Sequence, residues 1–111
     1  MAYAVIPSLF DVDVLPHDAT PRERFEAFHA ANPQVYDALE RMTALMADRG
    51  RKRIGMKMLF EVLRWNYYMT TTDPTSEYRL NNNYTAYYAR EIIKRHPEWA
   101  SMFALREVGE T

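Results

Sequence analysis

Three prolines follow directly on residues suited to the edge of a helix: Thr20-Pro21, Asn32-Pro33 and His96-Pro97. Proline has no amide hydrogen and a locked φ. It breaks a helix interior but suits the first helical position, where that donor would have no partner. These junctions cut the chain into helices with defined starts. Thr20 supplies a hydroxyl cap, and Glu23 completes a capping box. Asn32 is the expected cap of the next helix. In that helix Val35, Leu39, Met42, Leu45 and Met46 recur at helical spacing, and Gly50 stands just past the last of them. A glycine there suits the left-handed turn that ends many helices.

The next stretch, RGRKRIGMKMLFEVLRWNYYM, predicts a third helix. Ile54, Met58, Phe60, Val62, Leu63 and Trp65 leave it little polar face, which predicts a largely buried element. A turn-rich break, TTTDPTSEY, is centred on Asp73-Pro74. Tyr78-Arg79-Leu80 reads as a short extended piece. Asn82 or Asn83 is expected to cap a helix over 84–95, with Tyr84, Tyr88 and Ile92 on its inner face. Trp99, Met102, Phe103 and Leu105 then close the core. Residues 1–19 lack a helical period, and FDVDVL alternates apolar and acidic residues, as an edge strand or extended arm would. The expected organisation is an extended arm over 1–19, a helical domain over 20–106 and a frayed end over 107–111. The fold class is all-α: a small bundle of four to five helices, helix-turn-helix-like or winged-helix-like.

Composition supports a packed domain. The chain has 111 residues, is 48% hydrophobic and 14% aromatic, and contains no cysteine. That suits one domain with a real core and excludes disulfides and zinc–thiolate sites. No apolar run approaches the roughly 18 residues of a membrane span, and the N-terminus lacks the basic region of a secretory signal. A soluble, cytoplasmic protein is expected. Net charge is −1, so there is no global basic signal for nucleic acid. The distribution is uneven, however. Arg22 and Arg24 are the only Lys or Arg residues up to position 40, among seven acidic residues. Between 41 and 65, Arg41, Arg49, Arg51, Lys52, Arg53, Lys57 and Arg64 face only Asp48 and Glu61. Such asymmetry marks either a binding patch or two halves that pair with each other.

Motifs for catalysis are thin. Glu26-x-x-His29 has the spacing of a carboxylate–imidazole metal pair, but no second such pair exists, and a solvated helix face is the expected reading. His17, His29 and His96 are scattered. Three glycines leave no phosphate-cradling loop or dinucleotide fingerprint. The expectation is a non-catalytic protein without metal or cofactor.

Two surfaces remain as candidates for binding. Arg51, Lys52 and Arg53 precede a helix start, where the helix dipole disfavours cations and the free N–H groups favour an anion. A phosphate suits both; a solvated loop paired with the acidic N-terminal third is the alternative. The second surface is LNNNYTAYYAR. One asparagine accounts for a cap and a second for a turn, which leaves a surplus. Asn82, Asn83 and Thr85 at a helix start are suited to base edges and phosphates, and Tyr87, Arg90 and Lys94 share a face that can track a backbone. A basic-headed helix followed by a polar-headed one is arranged as in a helix-turn-helix, although TTTDPTSEYRL exceeds the usual turn.

FHAANPQVYDAL, RGRKRIGMKMLFEVLRW, LNNNYTAYYAR and HPEWASMF together resemble a small family of phage and prophage proteins, with the pattern RW…LNNNYTxxYAR. The resemblance covers Arg24 to Arg106, about three quarters of the chain, and leaves out residues 1–20. That family has no established catalytic activity, so the resemblance implies a viral or mobile-element context and action by binding. The leading expectation is a nucleic-acid-binding accessory protein using Arg51, Lys52, Arg53, Asn82, Asn83, Thr85, Arg90 and Lys94. The alternative is a protein-binding module that inhibits or redirects a host or defence protein through Phe10, Asp11, Asp13 and Leu15. Trp65, Tyr67 and Tyr68 exceed what one narrow helix face buries, which allows a homodimer.

Overall fold

The computed structural model describes residues 18–72, 74–75, 78 and 80–103. Four α-helices span Pro21–Ala31 (α1), Pro33–Asp48 (α2), Met56–Thr70 (α3) and Thr85–Arg95 (α4), with short 3₁₀ segments at Asn82–Tyr84 and Pro97–Met102. No strand occurs among the described residues; one isolated parallel bridge joins Ile54 to Phe103. The arm over 1–17, its contact residues Phe10, Asp11, Asp13 and Leu15, Leu105 and the expected frayed end at 107–111 lie outside the described residues. No helix among the described residues is long and apolar enough to cross a membrane.

The helix starts follow local chemistry, with two corrections. Thr20 forms the expected capping box: its hydroxyl accepts from Glu23 N–H at 3.1 Å, and its own N–H donates to the Glu23 carboxylate at 2.8 Å. Asn32 does not cap α2 with its side chain. It is fully buried, and its Nδ2 donates backward to the Phe28 carbonyl at 3.1 Å. A buried amide at a one-residue junction thus adds a second donor to the Phe28 carbonyl at the end of α1, which also accepts the Asn32 N–H at 2.9 Å. Gly50 ends α2 at φ 78°, as a helix-ending glycine should.

The second correction concerns the asparagines. Asn81, and not Asn82 or Asn83, is the cap: its Oδ1 accepts from Asn83 N–H at 2.8 Å. The chain then makes a 3₁₀ turn before α4, so the cap lies a turn further upstream than a direct α-helical start would place it.

The core gathers around α4. Tyr88, Ala89 and Ile92 on α4 are buried, as are Val35, Tyr36, Ala38, Leu39 and Met42 on α2 and Phe25 and Phe28 on α1. Each fully buried aliphatic side chain stabilises the fold by about 1.5–3 kcal/mol. The Phe25 ring meets Tyr88 edge-on at 4.8 Å and stacks on Tyr87 at 5.1 Å, which locks α1 against α4. Tyr84, expected in the core, is half-buried and lies against Phe25 and Phe28. Met102 and Phe103 are buried, and Ile54 N–H donates to the Met102 carbonyl at 2.8 Å. This bond ties the entry of α3 to the end of the last 3₁₀ segment.

The expectation of a largely buried α3 is overturned. Met56, Leu59, Phe60, Leu63 and Tyr67 face the core. Met58 is 45% exposed, Trp65 62%, Tyr68 40% and Met69 61%. The helix is apolar on two faces, but the domain supplies neighbours for only one of them.

Candidate functional site

The basic segment is built by the junction of α2 and α3. Gly50 turns the chain out of α2, and residues 51–53 then run without helical structure to Ile54, which is held by Met102 and Phe103. Arg51, Lys52 and Arg53 are exposed. The Arg51 N–H donates to the Met46 carbonyl at 3.1 Å, but none of the three side chains makes an ion pair or hydrogen bond among the described residues. Two of the acids expected to neutralise them are engaged elsewhere: Glu23 closes the capping box, and Glu26 lies 3.7 Å from Arg22. Gly55 occupies the cap position of α3 and offers no side-chain acceptor, and the first turn of α3 holds no acid. Positive charge and an uncapped helix start therefore sit together on a segment fastened to the core.

The second group lies where α4 meets α1. Asn82 and Asn83 are exposed, and their side chains make no hydrogen bond among the described residues. Thr85 is half-buried, with its hydroxyl donating to the Asn82 carbonyl at 3.1 Å. Arg90 sits 6.0 Å from the Tyr87 ring centroid, and Arg22 of α1 sits 5.7 Å from the same ring. Phe25 stacks beneath that ring, so the aromatic stack braces two guanidinium groups in the manner of cation–π contacts. Lys94 is exposed in the last turn of α4, where a cation also suits the helix dipole. The structure thus joins Arg90 with Arg22 over Tyr87, while Asn82, Asn83 and Thr85 stand together at the head of α4. The basic run at 51–53 is anchored separately, beside the last 3₁₀ segment. Nothing in the spacing pointed to Arg22; only the packing of α1 on α4 brings it in.

A third cluster had no sequence signal at all. His96 Nε2 lies 2.6 Å from a Glu40 carboxylate oxygen, and Tyr36 Oη donates to the same oxygen at 3.1 Å. Arg95 covers the Tyr36 ring at 4.3 Å, and the His96 ring stacks on Trp99 at 4.2 Å. The hydrogen bond with Glu40 raises the His96 pKa above its ordinary value, and the same bond holds Glu40 below its own. His29 behaves oppositely. Burial lowers its pKa, and its Nδ1 has no partner among the described residues. Its neighbour Glu26 reaches toward Arg22 rather than toward His29. No group of three metal-ligating side chains gathers among the described residues.

Comparison with known proteins brings no match: no family model, no curated protein and no solved structure corresponds to this chain.

Proposed function

We propose that this domain is a non-catalytic accessory protein of a phage or mobile element that binds nucleic acid. The observation that carries the reading is the run Arg51, Lys52 and Arg53: exposed, without counter-ions among the described residues, and fixed to the core through Ile54. Unpaired cations on an anchored segment need break no existing ion pair to meet a phosphate. Asn82, Asn83, Thr85, Arg90 and Lys94 form the second surface, to which Arg22 is added. A helix-turn-helix-like or winged-helix-like use of α3 and α4 fits this reading. Their connection over 71–81 exceeds a tight turn, so the irregular variant is the one proposed.

The test is binding of a labelled duplex and a labelled single strand by fluorescence anisotropy, between 50 and 200 mM salt. Wild-type affinity should fall steeply with salt. The Arg51/Lys52/Arg53 triple alanine variant should flatten the duplex log–log slope by about 0.9 per lost contact, close to 3 in all. No binding by wild type at 50 mM salt sinks the proposal. A host-cell pulldown that survives the triple change and fails on deletion of residues 1–19 favours the protein-binding alternative.

A further inference from the structure

The exposed face of α3 is patterned rather than random. Met58, Val62, Trp65 and Met69 follow one another at intervals of four, three and four residues. That is the alternation of a coiled-coil seam, whose side chains are placed to pack into a facing helix. The seam is distinct from the side of α3 that faces the core, where Met56, Leu59, Phe60, Leu63 and Tyr67 lie. An open groove of about 560 Å³ runs beside Met58, Val62, Trp65, Asn66 and Tyr68. A helix of matching sequence suits a surface of this kind.

We propose that the occupant is α3 of a second copy of this chain, packed antiparallel about a two-fold axis. The pairing is self-complementary, as a two-fold interface must be. In the antiparallel register Trp65 of one copy faces Val62 of the other, so the largest side chain of the seam meets the smallest. Met58 faces Met69 at both ends. Glu61 comes opposite Tyr68, whose oxygen already accepts the Tyr78 N–H at 3.2 Å and so keeps its own proton to donate to the carboxylate. Lys57 lies off the seam, and Arg64, which lines the groove with Glu61, is paired with that carboxylate at 3.3 Å on its own helix, so no like charges are opposed. Parallel pairing would set Trp65 on Trp65 and leave a gap at Val62.

The area bounds the kind of assembly. Aromatic side chains present roughly 150–250 Å² each. With the exposed fractions of Trp65, Tyr68, Met58 and Met69, each copy offers about 400–500 Å² of apolar surface, or about 800–1,000 Å² for the pair. Interfaces of that size are at the small end and belong to reversible assemblies. The dimer should therefore be weak and concentration-dependent. This inference does not rest on nucleic-acid binding and can hold or fail without it.

The test is sedimentation velocity on the full chain from about 1 to 200 µM, with the Kd read from the shift of monomer to dimer. Trp65→Glu should weaken association at least about 30-fold. Met69→Lys should act in the same direction, and both variants should keep the wild-type circular dichroism. The chain has no cysteine, so register can be read by oxidation. A mixture of Met58→Cys and Met69→Cys proteins should form the crossed disulfide in preference to either self-disulfide. Three outcomes overturn the proposal: a wild-type chain that stays monomeric throughout, whether residues 1–17 or a foreign partner takes the face; a dimer indifferent to both seam variants; or self-disulfides that dominate the mixture.

Discussion

The pairing of Glu40 with His96 should be worth about 1 kcal/mol to the fold, and only within a defined pH window. The contact is short, 2.6 Å, and joins the middle of α2 to the end of α4. A hydrogen bond to a charged group contributes about 1.5–3 kcal/mol. The two side chains here are 28% and 34% exposed, so solvent screening reduces this to about 1 kcal/mol. The folded-state pKa of His96 is raised above 6.5. Its contribution is therefore complete below pH 6.5 and lost as pH rises through the folded value. Glu40 is held below 4.5, so its contribution is complete above pH 4.5 and lost as pH falls through the folded value. The full coupling belongs between about pH 4.5 and 6.5.

Total stability is a poor readout of this pair. Glu98 also lies 3.4 Å from His96, and Arg95 acts on Glu40. His29, whose pKa is lowered by burial, destabilises the fold as pH falls below 6.5, opposite in sense to His96. A double-mutant cycle of Glu40→Gln and His96→Gln, by urea unfolding at pH 5.5 and pH 8.5, isolates the pair. The coupling should be about 1 kcal/mol at pH 5.5 and about half that or less at pH 8.5. Equal coupling at the two values, or none at pH 5.5, would refute the reasoning.

The other expectations are more local and can be read from thermal or urea unfolding. The Tyr88 hydroxyl is buried without a partner among the described residues; Tyr88→Phe should be neutral or stabilise by up to about 1 kcal/mol, whereas a loss above that would show a hidden partner. Leu39 is fully buried, and Leu39→Ala should cost about 2–5 kcal/mol in urea unfolding. Gly50→Ala should cost about 1–2 kcal/mol through the left-handed backbone alone, because an added Cβ there meets nothing within 4 Å. Thr20→Ala should cost about 1 kcal/mol by removing the capping box.

Much of the helical scaffold could be read locally. Thr20, Pro21 and Glu23 start α1 through bonds within one turn, and Gly50 ends α2 by its own backbone freedom. Short-range chemistry of this kind is the same in any tertiary setting. The asparagine triplet was half legible. A cap was certain to be needed, but which residue took the role depended on the 3₁₀ turn before α4. Asn82 and Asn83 are left outward by that choice, which keeps them in the candidate surface. Asn32 was misread because its side chain can satisfy a helix start or a helix end, and burial at the junction selected the end.

Alone, the sequence determined where helices begin, which positions repeat at helical spacing and where cations collect. These depend on backbone geometry and neighbours a few residues away. Tertiary structure decided which apolar stripe found a partner. Both faces of α3 are hydrophobic, and nothing in the sequence ranks Leu63 above Trp65. Packing in the common core buries the first and leaves the second in water. It also decided that Arg22 joins Arg90 over Tyr87 and that Glu40 meets His96. Such meetings are set by how helices pack, which the pattern within each helix does not encode.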